Sequence, residues 1–183
     1  GILKAKSHIP GIVLTIKNGL LIPSAGIDES NGDNVFILYP KHIQKTVTKI
    51  WRYLRKKHHL NALGILMTDS HTTPLRRGTT GIGLGYCGFE PLYNYIGKPD
   101  LYGKPLQVTQ TNLLDGLSAA AVLAMGEGAE QTPLVVMTDI PRLNFQNRPP
   151  NQKELKSVSI DLEQDIYAPL IQKNRWIWNN NQK

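Results

Sequence analysis

Leu63-Gly-Ile-Leu-Met-Thr68, followed at once by Asp69-Ser-His-Thr-Thr-Pro74, is the stretch on which the fold turns. A short apolar run bounded by turn-forming residues reads as a buried strand, and the polar residues after Thr68 read as the loop leaving its end. An amphipathic helix leads into it. After Pro40, residues Ile43, Val47, Ile50, Tyr53 and Leu54 recur at three- and four-residue spacing with Lys and Arg on the opposite side, and the pattern ends near His59. Farther upstream, β-branched apolar runs at Ile12–Ile16, Leu20–Pro23 and Val35–Tyr39 predict strands. The first two are joined by Asn18-Gly19, the signal of a tight hairpin.

Downstream, residues 78–103 carry Gly at 78, 81, 83, 85, 88, 97 and 103 and read as loop. Leu106–Gln110 reads as a strand, Asn112–Met125 as a helix stopped by Gly126, and Pro133–Thr138 as another buried strand. Residues 141–160 form a polar loop, richest in Pro and Asn from Arg142 to Gln152, ahead of a last helix over Asp161–Lys173. Hairpins, helices and scattered strands without a regular βαβ series predict an α+β protein of mixed and antiparallel sheets with packed helices, a single domain over residues 1–183.

A chain of 183 residues suffices for one domain or two small lobes and excludes a multidomain machine. Its 21 Lys and Arg against 14 Asp and Glu leave a net charge of +7. Seven of those cations (Lys41, Lys45, Lys49, Arg52, Arg55, Lys56 and Lys57) fall between residues 41 and 59, where there is no acid, so this one segment carries the whole excess. Such a face can grip a phosphate backbone. The competing reading is a solvated helix face, which the absence of an aromatic ladder or a known nucleic-acid motif favours. His58 and His59, being adjacent, project to different sides of a helix, which suits a cap or a surface better than a metal pair. The single cysteine, Cys87, excludes an intrachain disulfide and a cysteine-based zinc finger and fits a reducing compartment. No apolar run approaches the ~18 residues that span a bilayer, and residues 1–20 lack the order of a signal peptide, so a cytoplasmic protein is expected. The start at Gly1, running quickly into Gly11-Ile-Val-Leu-Thr-Ile16, predicts further sequence upstream.

Gly83-x-Gly85-x-x-Gly88 matches the dinucleotide-binding string, but Phe89-Glu-Pro91 stands where the helix must begin, and no P-loop sequence is present. Two oxygen-rich segments are more informative. Gly26-Ile-Asp-Glu-Ser-Asn31 follows one strand and Thr68-Asp-Ser70 ends another, presenting carboxylate and hydroxyl oxygens suited to Mg2+ or Mn2+; singly, each is an ordinary Asx-type turn. Arg76-Arg-Gly78 offers two guanidiniums for phosphate or carboxylate, and Met125-Gly-Glu-Gly128 sets a carboxylate in a Gly-rich turn. The bland readings are surface arginines and a helix stop. Together the four segments point to a metal and phosphate site.

At these residues the chain resembles the coenzyme F420-0:L-glutamate ligase family of γ-glutamyl ligases. The resemblance rests on Ser24-Ala-Gly-Ile-Asp-Glu-Ser-Asn31, on Thr68-Asp-Ser70 with Arg76-Arg-Gly78 and Gly81-Ile-Gly83, and on the segment Tyr95-Ile-Gly-Lys-Pro-Asp-Leu-Tyr-Gly-Lys-Pro-Leu-Gln-Val-Thr109. Asp115, the Ala-rich helix and Met125-Gly-Glu-Gly128 complete it in one order from about residue 12 to residue 140. It implies an α+β γ-glutamyl ligase fold, commonly dimeric, without the N-terminal part that family members carry. It also implies a GTP-dependent ligase that uses two divalent ions, Mn2+ or Mg2+, with K+ as a candidate further ion.

In the implied reaction an acceptor carboxylate, on coenzyme F420-0 or a folate-like molecule, becomes an acyl phosphate that the amine of L-glutamate opens. Carried over by position, Asp28 and Asp69 would hold one metal, and Ser70 with Glu127 the second. Asn31 and the run Met125, Gly126, Glu127, Gly128, Ala129, Glu130, Gln131 and Thr132 would contact GTP. Arg76, Arg77, Asp100 and Tyr102 would serve phosphate, acceptor or glutamate. Ser70 stands where Thr is usual, and His71 and Thr72 replace the Asn/Phe-Gly common after it, which alters the acceptor pocket. A noncatalytic nucleotide- or metal-binding module of the same fold is the alternative, and nucleic-acid binding through residues 41–59 is a third reading.

Overall fold

The computed structural model describes residues 2–3, 10–171 and 176–177. They form a small α+β structure of three short antiparallel sheets and three helices, divided into two compact units, one within residues 1–41 and 159–183 and the other over His42–Val158.

The first unit is built on a four-stranded sheet in the order β3-β2-β1-β8, from β1 (Ile2–Leu3), β2 (Leu14–Lys17), β3 (Leu20–Pro23) and β8 (Trp176–Ile177). The β2–β3 hairpin turns on Asn18 (φ 52°) and Gly19 (φ 77°), the left-handed pair that a two-residue turn needs. Thr15, buried on β2, donates its hydroxyl to Ile22 O at 2.7 Å and accepts from Ala25 N at 3.0 Å, fastening the chain that leaves β3. Two expectations are corrected here. The strand expected over Ile12–Ile16 is β2, which begins at Leu14, two residues later than its apolar run. Val35–Tyr39 is not a strand: only Ile37 pairs, in an isolated bridge with Asp28, because Asn31, Asp33 and Asn34 take left-handed φ and curl the approach. Tyr39 is buried instead as a packing residue, its ring filling the space where a Cβ on Gly26 would sit and lying 4.4 Å from Lys17 Nζ.

In the second unit α1 (Ile43–His58) and α2 (Leu113–Met125) pack against a long hairpin of β4 (Ile65–Thr72) and β5 (Thr79–Cys87). A short pair, β6 (Leu92–Asn94) with β7 (Gln110–Asn112), precedes α2, and α3 (Gln152–Ser157) follows it. The expected loop over 78–103 is therefore wrong in part: its first third is β5, and the short β6 lies farther along it. The glycines of β5 make room for helices. A Cβ on Gly81 would collide with the Ser118 carbonyl, one on Gly83 would meet Leu114 Cδ1 at 2.6 Å, and one on Gly85 would meet Ile43 Cγ2 at 2.8 Å. The hairpin runs in register from Ile65↔Cys87 to Met67↔Gly85, then shifts, so that Thr68 faces Gly83 and Thr72 faces Thr79; Leu84 is the extra residue of a bulge.

The core gathers Tyr86, Phe89 and Leu114, flanked by Leu66, Leu117, Leu143, Leu155 and Val158. Full burial of side chains this size contributes about 1.5–3 kcal/mol each. Val47, Trp51 and Cys87 are buried as well, and Trp51 Nε1 donates to Leu63 O at 2.8 Å.

Four further expectations fail here. Asp69 and Ser70 lie inside β4, not in a loop after it. The strand expected at Leu106–Gln110 is displaced to Gln110–Asn112. Pro133–Thr138 forms no strand and is not buried, Leu134 and Val136 being almost fully exposed. Apolar composition makes a strand only where a neighbouring edge supplies the ladder. The polar loop over 141–160 contains α3, started by a complete capping box between Asn151 and Glu154, whereas Asp161–Ile171 is a series of turns; the last two residues of that expected helix lie outside the described ones.

Candidate functional site

Asp69 and Ser70 stand side by side on β4, opposite Ile82 and Gly81 of β5. Ser70 N donates to Asp69 Oδ1 at 2.9 Å, so this carboxylate is turned along its own strand. Thr68 donates its hydroxyl across the hairpin to Ile82 O at 3.0 Å. Two residues beyond Ser70, a span of about 7 Å, Thr72 faces Thr79. Thr79 donates its hydroxyl to Glu127 Oε1 at 3.0 Å. The exposed carboxylate after α2 is thereby delivered to the turn end of the hairpin that carries Asp69 and Ser70. Neither Thr79 nor this link is legible in the sequence, since the two residues are 48 positions apart.

Two caps position Glu127. At the start of α2, Asn112 accepts from Asp115 N at 3.0 Å and donates to Asp115 Oδ2, while Asp115 Oδ1 accepts from Gly83 N at 2.9 Å. The helix is thus pinned to the strand beside the bulge. At its end Gly126 takes φ 81° and donates to Val122 O. Glu130 folds back to accept from Gly128 N at 2.8 Å, and Thr132 donates to Met125 O at 2.6 Å. The run Met125–Thr132 is accordingly a tied loop with Gln131 in left-handed φ, and Ala129 lies exposed on it.

The remaining residues fall elsewhere. Arg76 and Arg77 are exposed in the β4–β5 loop, next to Leu75, whose side chain is wholly in solvent. Asp100 organises its own loop: its Oδ1 accepts from Tyr102 N and Lys104 N, both at 2.8 Å, and Tyr102 is exposed. Asp28 and Asn31 belong to the first unit. Asp28 accepts from Glu29 N, Ser30 N and the Ser30 hydroxyl, and the Ser30 hydrogen bonds hold its carboxyl below the usual carboxylate range. Asn31 is exposed with φ 55°.

The oxygen donors Asp28, Asp69, Ser70 and Glu127 have the hardness that Mg2+ or Mn2+ requires. Among the described residues, however, no three His, Cys, Asp or Glu side chains gather into a cation cage. Asp28 belongs to the first unit, and Asp69, Ser70 and Glu127 to the second.

Residues 2–139 match the family model described as F420-0:Gamma-glutamyl ligase, three-quarters of the chain. The chain belongs to this family. Curated relatives of this γ-glutamyl ligase family member are named coenzyme F420:L-glutamate ligase. That of Methanosarcina mazei is 37% identical over 129 residues, covering 70% of this chain and 50% of the relative. That of Methanothermobacter thermautotrophicus is 34% identical over 131 residues, covering 71% and 52%. That of Methanopyrus kandleri is 32% identical over 126 residues, covering 68% and 50%. The chain spans about half the length of the curated relatives it matches. No helix among the described residues is long and apolar enough to cross a membrane.

Proposed function

We propose that this chain carries part of the catalytic machinery of a GTP- and divalent-metal-dependent γ-glutamyl ligase, which joins the amine of L-glutamate to a carboxylate of coenzyme F420-0 or a folate-like acceptor. The observation that carries the reading is the family match over residues 2–139, which includes Asp69 and Ser70 on β4 and Glu127, tied to the same hairpin through Thr79. The chemistry required is activation of a carboxylate, a poor acylating agent. An acceptor carboxylate oxygen takes the γ-phosphoryl group of GTP and GDP leaves. The glutamate amine then attacks the acyl carbon, phosphate departs with the carboxylate oxygen, and the nitrogen loses a proton to leave the amide. Arg76 and Arg77, on the loop of the same hairpin, supply positive charge for these anions.

The test uses the intact protein with GTP, Mn2+ or Mg2+, L-glutamate and each acceptor in turn, scoring phosphate release and product mass. Asp69→Ala is expected to abolish release; undiminished release refutes the site. A second reading is a noncatalytic nucleotide- or metal-binding module of the same fold. Tight GTP binding by the intact protein with no phosphate released for any acceptor selects it.

A further inference from the structure

The geometry points to the exposed face of α1 as a docking surface for the phosphate backbone of nucleic acid. From the sequence alone a solvated helix face is the favoured reading of this basic run. The structure adds the alignment of its charges. Lys45, Lys49, Arg52 and Lys56 are all exposed, and none pairs with a carboxylate among the described residues. At 100° per residue the four fall within about 60° of arc, a line of charge about 16 Å long. Each neighbour along it stands three or four residues from the next, the spacing at which like charges weaken a helix. No acid lies in the first turn to offset them. The line continues past the helix end into a groove lined by Trp51, Arg52, Lys56 and His59.

The rest of the helix narrows the partner. Most of its apolar face, which a membrane-seeking helix would insert, is already used: Ile43, Val47 and Trp51 are buried, the first two beside Gly85 of β5 and Trp51 bonded to Leu63 O, which leaves Ile50 and Tyr53 exposed. Arg55, stacked on Trp51 at 4.6 Å, donates to Leu60 O and Asn147 Oδ1 and is structural. These four form a narrow stripe, with Lys57 exposed to one side and 5.4 Å from the Tyr53 ring, which matches a linear polyanion better than a plane of lipid headgroups. A duplex presents a charge every ~1.7 Å, or about ten phosphates along the row. Tyr53, more than half exposed on the same helix, adds a ring edge at the border of the stripe. No base-reading group accompanies it, so binding is to the backbone, without sequence preference.

Four phosphate contacts predict a salt dependence with slope near −3.6 in log–log form, an affinity loss of about 150-fold between ~50 and ~200 mM salt. Fluorescence anisotropy of the full chain with a labelled DNA duplex of about 20 base pairs reads this directly. The double variant Lys49→Glu/Arg52→Glu is expected to halve the slope and abolish binding at the higher salt. Lys98→Glu/Lys104→Glu, with the same change of net charge elsewhere on the surface, should leave the slope unaltered. Circular dichroism confirms that both variants fold. No binding at low salt, an equal effect of the two double variants, or binding of equal strength to phosphatidylserine vesicles or to polyglutamate each overturns the assignment.

Discussion

Replacing Gly81 by Ala tests the packing that holds the hairpin under α2. A Cβ at this position meets Ala119 N at 2.8 Å, where ordinary contact begins at 3.4 Å, and lies closer still to the Ser118 carbonyl. Both obstacles are backbone, so no rotamer change relieves them. The helix must retreat by about 0.6 Å at the amide alone, and overpacking of this kind costs about 1–3 kcal/mol. Gly116 provides the matched control. It lies within α2 with nothing within 4 Å of its Cβ, so Gly116→Ala should stabilise by about 0.5–1 kcal/mol through helix propensity. The two variants differ from each other by one methyl's position, yet their stabilities should differ by about 1.5–4 kcal/mol. For a chain of this size that corresponds to a separation in melting temperature of roughly 3–16 °C. Urea melts followed by the helical circular-dichroism signal, to which α1 and α2 contribute most, measure it. A Gly81→Ala midpoint equal to or above that of Gly116→Ala would show that the glycines of β5 are not there to admit the helix.

Three other outcomes follow from named contacts. Removing the Thr79 hydroxyl in Thr79→Val should lower phosphate release about tenfold, the worth of one hydrogen bond to a charged group near 1.5 kcal/mol, while Thr79→Ser retains it. The Glu154 carboxyl is held down to about 2 from an ordinary 4.5, chiefly by the Arg148 guanidinium, with Asn151 N and Gln146 adding to it. Its folded pKa is depressed, so its stabilisation is complete above pH 4.5 and is lost as pH falls toward 2; urea midpoints across that window should fall in the wild type and flatten in Glu154→Gln. Asn151→Ala, which removes the other half of the same capping box, should cost about 1 kcal/mol by the same measurement.

The helices of the second unit are legible because their information is local. Ile43, Val47 and Trp51 form a stripe by spacing alone, and Asn112 and Gly126 mark the ends of α2. Strand β5 is hidden for the opposite reason. Gly81, Gly83 and Gly85 look like loop to any local rule, and their purpose appears only when Ser118, Leu114 and Ile43 arrive from distant sequence. Pro133–Thr138 fails in the reverse sense, apolar enough for a core strand yet without a described ladder. Helix α3 is short and polar, and its Asn151–Glu154 box is the one local signal that could have revealed it. In the site, Asp69, Ser70 and Glu127 stand out as chemistry-bearing residue types. That Thr79 joins them, and that Asp100 is occupied with its own loop, depends on contacts no spacing rule contains.

The bulge at Leu84 sets the parity of the hairpin. Before it, odd residues of β4 face odd residues of β5; after it, odd face even. Ser70 consequently has Gly81 as its neighbour across the ladder, and Asp69 has Ile82. Straightening the ladder with Leu84 retained would pair Asp69 with Gly83 and Ser70 with Ile82, setting the hydroxyl against a branched side chain and the carboxylate against a glycine, whereas deleting Leu84 would straighten it and keep the present pairs. The exposed loop at 73–78 has no such arithmetic to preserve. Length variation within this hairpin should therefore be tolerated at its tip, and Leu84 is the residue of its second strand whose loss the ladder absorbs.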